Sequence, residues 1–329
     1  MDPQKSAVLV LSDGRVFAGT AFGAPPLTGE QALALLDSGE AGTYLAHFGE
    51  VVFNTAMSGY PEVLTDPSYT GQIVAMTYPH IGNYGIDAAW SEGGPEEGRS
   101  RSVKPAGLVV RELYGGPVPA GRIDLDAYLR ENGIPGIAGV DTRALTLHLR
   151  EHGSQNAVIC EALAAPEAAT SPKAATSPKS AASPKSAAAP EPTYAELAAR
   201  LARFPAMEGR GLLGQVGTMA PLDVHGGSGA VAGVERATGP HLALYDCGAK
   251  ANIIRELQTL GCRLSILPSS ATAAEIRATG AEAVLLSNGP GDPAVLEHQV
   301  AQTRELLGEL PVLGICLGHQ IIAEAVGGR

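Results

Sequence analysis

Short apolar runs separated by glycine and proline dominate the first half of the sequence. Ala7–Leu11, Gly49–Asn54 and Gln72–Thr77 have the length and the residue types of β-strands. Leu125–Glu131 and the stretch that begins at Asp141 instead space their apolar residues as amphipathic helices do. This mixture predicts a mixed α+β domain in the first half of the chain.

After Gly239 the pattern changes to a regular alternation of apolar runs and amphipathic segments. The predicted strands lie at 241–246, 263–268, 281–287 and 311–315, and the predicted helices at 250–260, 273–278 and 295–307. Repeated βα units of this kind predict a parallel sheet that is covered by helices. Because ligands bind such sheets at the carboxyl ends of the strands, the loops that follow the strands are candidate sites.

Between these halves, residues 160–192 consist almost entirely of Ala, Ser, Thr, Pro, Lys and Glu, with a proline at every sixth position from Pro166 to Pro190. A segment with so little bulky apolar surface cannot offset the entropy that ordering would cost, which predicts a disordered, solvated spacer. Its S-P-K repeat could bind an acidic partner, but a few lysines form only a weak electrostatic patch.

The composition narrows the class of protein further. The chain has 329 residues, of which 45% are hydrophobic, enough for about two globular domains. Its formal net charge of −11 opposes nonspecific attraction to nucleic acids and to anionic membranes. Since we see neither a bilayer-spanning apolar run nor a signal-peptide pattern, we expect a cytoplasmic protein. The cysteines lie far apart without a C-x-x-C pair, which argues against disulfides and against a cysteine metal site.

The segment G-I-C-L-G-H-Q at 314–320 carries the strongest candidate chemistry. A predicted strand ends at Cys316 and turns at once into a helix, with Gly314 and Gly318 as the small neighbours that a sharp turn requires. At such a nucleophile elbow the helix N-terminus favours the thiolate, and the N–H of Leu317 can stabilise an oxyanion. A buried structural cysteine, the alternative, would not need the two glycines. We therefore predict acyl transfer through a thioester on Cys316.

A second unusual loop, L-S-N-G-P-G-D-P at 286–293, follows the preceding predicted strand. Gly289 and Gly291 allow its backbone to approach a ligand closely and to offer further N–H donors. Alone, the loop would be an ordinary βα turn. Next to the elbow, it becomes a candidate second wall of the site.

These two motifs together resemble the class I glutamine amidotransferases, in which a cysteine hydrolyses the side-chain amide of glutamine and releases ammonia for a partner active site. Further strings are similar to the small subunit of carbamoyl-phosphate synthase, at 49–74, 77–85, 141–146 and 245–257. In the last string Cys247 stands where we expect an aromatic residue, and we assign it no catalytic role. The resemblance covers nearly all of the chain outside the spacer and an apparent insertion at 25–48.

The resemblance implies an α/β protein with two domains. Residues 1–159 are expected to form the mixed α+β N-terminal domain of the small subunit, and residues 193–239 an inter-domain connection after the spacer. Residues 240–329 are expected to form an incomplete class I glutamine amidotransferase domain, with a parallel, flavodoxin-like sheet and its C-terminal part missing.

The resemblance also implies roles for individual residues. Cys316 is expected to be the nucleophile, and Leu317 and Gly289 are expected to supply the amides of the oxyanion hole. The expected contacts to glutamine come from Ser68, Gly289, Gly291, Leu317 and Gln320. Judged by D-P-S-Y alone, Ser68 is better explained as a turn residue, and Gln320 could simply face solvent. If Ser68 does contact glutamine, the site lies at the interface between the domains.

A thiol nucleophile of this type needs a histidine base that a carboxylate orients. We expect neither His319, which follows Cys316 on the same predicted helix, nor His298 to fill that role. In the family, the pair lies in a G-H-P-E-type segment well downstream of the elbow, whereas this sequence ends at Arg329. We therefore expect the sequence to be part of a longer protein, and we expect these residues alone to be nearly inactive.

For the complete protein, the resemblance implies the glutamine-hydrolysing subunit of carbamoyl-phosphate synthase. Its partners are then L-glutamine and a large subunit that makes carbamoyl phosphate from bicarbonate and ATP, for arginine and pyrimidine synthesis. We expect no metal or cofactor in this chain, which contains no P-loop, and we expect ATP and magnesium on the large subunit. Two alternatives stay open: another class I glutamine amidotransferase, and a docking subunit that does not hydrolyse glutamine.

Overall fold

The computed structural model describes the chain in separate stretches, namely residues 5–39, 46–93, 103–163, 192–224 and 239–328. The predicted spacer at 160–192 lies outside these residues except at its ends. At its N-terminal end, Cys160 and Glu161 belong to a strand of the first domain. The predicted disorder therefore concerns residues that are not described.

The first domain combines strands and helices, as predicted. Its strands are β1 (Ser6–Leu11), β2 (Val16–Gly23), β3 (Phe48–Asn54), β4 (Gln72–Met76), β5 (His80–Ile81), β6 (Gly107–Val109), β7 (Glu112–Leu113), β8 (Pro135–Ala138) and β9 (Gln155–Glu161). Its helices are α1 (Gly29–Ser38), α2 (Tyr60–Thr65), α3 (Leu125–Glu131), α4 (Thr142–His152) and α5 (Tyr194–Leu201). Asp141 caps α4 by accepting a hydrogen bond from the Ala144 N–H at 2.9 Å, which confirms the predicted start of that helix.

Most of these strands close into a barrel, in the order β1-β2-β8-β6-β4-β3-β9. Every strand of the barrel contributes to one buried apolar cluster, together with Leu145 and Leu149 of α4. Strand β1 is apolar at successive positions because both of its faces are covered. Leu9 belongs to that cluster, whereas Val8 packs with residues of α1 and α5 on the other side.

Helices α1 and α5 pack together on the outside of the barrel. The helical spacing inside the 25–48 segment is that of α1, whose first turn is closed by a capping box of Thr28 and Gln31. A second capping box, formed by Thr193 and Glu196, begins α5. The start of the predicted inter-domain connection is therefore packed against the first domain.

The second domain is built on a mostly parallel sheet. Its strands are β10 (Leu222–Val224), β11 (His241–Asp246), β12 (Arg263–Pro268), β13 (Ala283–Leu286) and β14 (Val312–Gly314), and its helices are α6 (Ala251–Thr259), α7 (Ala273–Ala278), α8 (Glu297–Leu306) and α9 (Leu317–Ala325). The sheet order is β10-β12-β11-β13-β14, and only β10 is antiparallel to its neighbour. The parallel strands thus follow the 2-1-3-4 order of flavodoxin-like sheets, which confirms the predicted fold class.

This topology places three loops at one edge of the sheet. Strands β11, β13 and β14 are neighbours and run in the same direction, with Leu244 opposite Leu285 and Leu286 opposite Gly314. The loops that follow these strands therefore meet at the carboxyl edge, next to the point where the strand order reverses. Ligands of open α/β sheets bind at that point.

Candidate active site

Cys316 lies at a tight bend between β14 and α9. Its φ is 52° and its ψ is −109°, and among the described residues only His47 and Cys316 combine a side chain with a positive φ. Backbone strain of this kind costs roughly 1–3 kcal/mol and persists only where the surroundings enforce it. The sharp elbow that the sequence predicts at Cys316 is therefore present.

The two glycines beside the cysteine are required by close backbone contacts. A Cβ atom added to Gly314 would lie 2.4 Å from the carbonyl carbon of Gly318. One added to Gly318 would lie 2.3 Å from the carbonyl oxygen of Leu286, in the neighbouring strand. Because these neighbours are backbone atoms, they cannot move aside as a side chain can. Any larger residue at either position would push α9 away from the sheet.

Cys316 is the exposed cysteine, whereas Cys160, Cys247 and Cys262 are buried. Burial raises the pKa of the Cys160 thiol to about 12, and it also raises the pKa values of Cys247 and Cys262. A raised thiol pKa disfavours the reactive thiolate. Exposure and the adjacent helix N-terminus therefore single out Cys316 as the cysteine that can act as a nucleophile.

The glycine-rich loop after β13 lies directly beside the elbow. A Cβ atom added to Gly289 would lie 2.0 Å from the carbonyl oxygen of Cys247 and 3.0 Å from Cδ2 of Leu317. Gly291 has a φ of +98°, and its added Cβ would lie 2.6 Å from the carbonyl oxygen of Arg210. Only glycine fits at these positions, so the sequence dictates how closely this loop approaches α9.

Two N–H groups at this edge of the sheet have no hydrogen-bond partner among the described residues. Within the described residues, neither the Leu317 N–H nor the Gly289 N–H donates to a protein acceptor. The next N–H of α9, that of Gly318, already donates to the carbonyl oxygen of Ser287 at 3.1 Å. Unpaired donors at a helix N-terminus and in an adjacent glycine loop are what an oxyanion hole requires.

Ser68 lies in a short 3-10 helix, Pro67–Tyr69, at the contact between the domains. Its N–H donates to Oδ1 of Asp66 at 2.9 Å, which is the turn geometry expected from D-P-S-Y. Its Oγ also accepts a hydrogen bond of 3.0 Å from Nδ2 of Asn288, next to Gly289. Ser68 is therefore both a turn residue and a residue of the domain interface.

Gln320 lies on the first turn of α9, where its N–H donates to the carbonyl oxygen of Cys316 at 3.1 Å. Its side chain is exposed, as the solvent-facing alternative allows. A chain of contacts thus links Ser68 to the elbow, because Ser68 is bonded to the residue before Gly289 and Gly289 lies against Leu317. Gln320 is linked to Cys316 only through the helix backbone. Contact of any of these residues with glutamine stays a prediction.

Sequence reasoning missed the polar contacts that join the two domains beside the site. Asp66 pairs with Nζ of Lys250 at 2.7 Å. Burial lowers the pKa of Lys250, but the hydrogen bond and charge of Asp66 more than offset this effect, so its pKa is raised overall. From the first domain, Glu92 accepts hydrogen bonds from the N–H groups of Ala251 at 3.1 Å and Asn252 at 2.9 Å. Glu92 therefore caps α6 in place of its own N-cap residue, Lys250, which provides no side-chain cap.

No described histidine is hydrogen-bonded to the sulfur of Cys316. His319 is exposed on α9, and His298 is exposed on α8, where its Nε2 lies 3.1 Å from the carbonyl oxygen of Ser270. That neither histidine acts as the general base stays a prediction.

Two further findings concern metals and membranes. In the parts of the chain that the structure describes, no three His, Cys, Asp or Glu side chains are grouped to hold a metal ion. Over the same stretches, no helix has the length and apolar character needed to cross a bilayer.

Comparison with known proteins agrees with this geometry. Residues 9–159 match the family model of the carbamoyl-phosphate synthase small chain, CPSase domain, and residues 243–329 match that of class I glutamine amidotransferases. The carbamoyl phosphate synthase small chain of Syntrophotalea carbinolica is 37% identical over 98% of this chain and 73% of its own length. Those of Solidesulfovibrio magneticus and Symbiobacterium thermophilum are 40% and 41% identical, over 98% and 96% of this chain and 74% and 71% of their own lengths. The chain therefore belongs to the carbamoyl-phosphate synthase small-chain family.

Proposed function

We propose that this small chain hydrolyses the side-chain amide of L-glutamine through a thioester on Cys316. The observation that carries the proposal is an exposed cysteine held at positive φ between β14 and α9. Such a bend presents the sulfur at the carboxyl edge of the sheet, where unpaired N–H groups also lie. A nucleophile next to unpaired donors is suited to acyl transfer.

In the proposed reaction the Cys316 thiolate attacks the amide carbon of glutamine and forms a carbon–sulfur bond. Negative charge moves onto the amide oxygen, where the N–H groups of Leu317 and Gly289 stabilise it. The carbon–nitrogen bond then breaks, and the nitrogen takes up the proton that the thiol has lost and leaves as ammonia. Water attacks the remaining thioester, which releases glutamate and regenerates the thiol.

This proton needs a carrier, and no described histidine is hydrogen-bonded to Cys316. Histidine-based general acid–base catalysis therefore has no candidate among the described residues. Such catalysis contributes about 10²–10⁴-fold to a rate. We therefore expect a polypeptide of these 329 residues to hydrolyse glutamine slowly.

The ammonia is proposed to serve a large subunit, on which bicarbonate and ATP, with magnesium, give carbamoyl phosphate. The relatives' name, small chain, supports such a partner. Arginine and pyrimidine synthesis are the proposed uses of the product. The cytoplasmic location that the sequence favours stays a prediction.

The test is Cys316→Ser in the full-length protein assembled with its large subunit. We expect glutamine-dependent synthesis of carbamoyl phosphate to be lost and ammonia-dependent synthesis to be retained, because only the ammonia source is removed. Cys262→Ser is the matched control, since it makes the same change at a buried cysteine of the same domain. Loss of both activities in the Cys316 variant, or retention of both, would contradict the proposal; retention of both would instead favour a docking subunit.

A further inference from the structure

Asn288 is a buried residue whose amide joins the two domains. The residue is 3% exposed. Its Nδ2 donates to Oγ of Ser68 at 3.0 Å and to the carbonyl oxygen of Gly248 at 3.0 Å, and its Oδ1 accepts from the Lys250 N–H at 3.0 Å. Ser68 lies 220 positions away in the chain, in the first domain.

The neighbours of Asn288 fix which end of the amide faces Ser68. The Lys250 N–H can only donate and the Gly248 carbonyl oxygen can only accept, so Oδ1 must meet the former and Nδ2 the latter. Nδ2 is therefore the atom that faces Ser68, and Oγ of Ser68 must accept from it. Because a hydroxyl has one proton, the Ser68 O–H points away from Asn288, and no described residue accepts it.

Further buried hydrogen bonds connect Asn288, through Ser287, to the nucleophile elbow. Ser287, fully buried, accepts a hydrogen bond from the Cys247 N–H at 2.9 Å and donates one to the Asn288 carbonyl oxygen at 2.8 Å. Its own carbonyl oxygen accepts the Gly318 N–H of α9 at 3.1 Å. Gly289, one of the two proposed oxyanion donors, directly follows Asn288. A change at Asn288 can therefore reach both Ser68 and Gly289.

We infer that Asn288 is a positioning residue that directs the hydroxyl proton of Ser68 into the glutamine site. An O–H donor held in that direction suits a carboxylate or carbonyl oxygen of the substrate. The inference rests on the proposed glutamine hydrolysis. This role differs from a purely structural one because it depends on the direction of the hydrogen bond between Asn288 and Ser68, which a substitution can reverse.

The experiment is Asn288→Asp in the full-length protein assembled with its large subunit. In this variant a carboxylate oxygen takes the place of Nδ2. The Ser68 hydroxyl then donates its proton to that oxygen and no longer to the substrate. We expect the KM for glutamine to rise about tenfold, the usual effect of losing one hydrogen bond to a charged group. Asn132→Asp is the matched control. Nδ2 of Asn132 likewise donates to a carbonyl oxygen, that of Tyr128, but Asn132 lies at the C-terminal end of α3 in the first domain.

The second arm combines Asn288→Asp with Ser68→Ala. If Asn288 acts through the Ser68 hydroxyl, the double variant has the same KM for glutamine as Ser68→Ala alone, because no hydroxyl is left to direct. Effects that multiply would overturn the inference, as would a KM in Asn288→Asp that matches Asn132→Asp. Alkylation of Cys316 by iodoacetamide, which needs no glutamine site, is expected to proceed at the same rate in each variant.

Ammonia-dependent synthesis reports on folding and assembly in every variant. If Asn288→Asp impairs it, Asn288→Ala takes its place in both arms, since it removes the donor to Ser68 without adding a charge, and the same KM criteria apply. Cys316→Ser, measured in parallel, distinguishes failure of the proposed function from failure of the positioning role. Glutamine-dependent synthesis in that variant would reject the proposed function, whereas an unchanged KM in the Asn288 variants would reject only the positioning role.

Discussion

Gly314→Ala is the substitution that tests most sharply whether the elbow geometry produces activity. Gly314 ends β14 and lies against the first turn of α9. The added Cβ would lie 2.4 Å from the carbonyl carbon of Gly318, 2.5 Å from its oxygen and 2.5 Å from the N of His319. All three are backbone atoms of the helix that carries the Leu317 N–H. The clash can therefore be relieved only if strand and helix move apart.

The size of the displacement follows from these contacts. Ordinary van der Waals contact of a Cβ begins at 3.4 Å, so the shortfall is 3.4 − 2.4, or 1.0 Å. Overpacking of this kind destabilises a protein by about 1–3 kcal/mol. A misplacement of about 1 Å in a catalytic group can lower a rate by about 10²-fold. We therefore expect a modest loss of stability and a large loss of glutamine-dependent activity.

The assay measures glutamine-dependent and ammonia-dependent synthesis by the assembled enzyme, together with the free energy of unfolding in urea. Gly214→Ala is the matched control, because an added Cβ at Gly214 meets nothing within 4 Å and its φ is not positive. We expect the ratio of the two activities to fall about 10²-fold in Gly314→Ala and to be unchanged in the control. A Gly314→Ala enzyme with a normal ratio would refute the claim that this close contact positions the oxyanion donor.

The remaining predictions concern the cysteines and the isolated polypeptide. Iodoacetamide at neutral pH is expected to alkylate Cys316 well before the three buried cysteines, since burial raises the pKa of Cys160 to about 12 and also raises those of Cys247 and Cys262. Peptide mapping with Cys316→Ser as control measures this selectivity, and comparable labelling of another cysteine in the folded protein would contradict it. A polypeptide of these 329 residues is expected to hydrolyse glutamine about 10²–10⁴-fold more slowly than the full-length assembled enzyme. Release of ammonia at a comparable rate would contradict this expectation, because it would show that a residue of this sequence acts as the base.

Local pattern was sufficient to predict the second domain. The apolar runs of its parallel strands are continuous because both faces of the sheet are covered, and the helices between them are amphipathic. The elbow was predictable for a related reason, since the backbone contacts at Gly314 and Gly318 admit no side chain. Strand β10 was not predicted, because it is three residues long and only partly buried.

Features that depend on contacts between distant residues could not be predicted from the sequence. Closure of the barrel requires β1 to pair with β9, and the run at Ala7–Leu11 gives no sign of its partner. Helix α5 carries a local signal, the capping box of Thr193 and Glu196, inside the segment that is expected to be only an inter-domain connection. Asn288 belongs to the loop at 286–293, whose glycines make it a candidate part of the site. Its role became visible only when folding brought Ser68 to it.

In the proposed reaction, the sulfur of Cys316 carries the glutamyl group during hydrolysis. The most direct measurement is to quench the assembled full-length enzyme in acid during turnover of isotope-labelled glutamine and to map the label by mass spectrometry. We expect labelled glutamyl on the peptide that contains Cys316, and no such label in Cys316→Ser. A glutamyl group on any other residue, or sustained glutamine hydrolysis by Cys316→Ser, would contradict it.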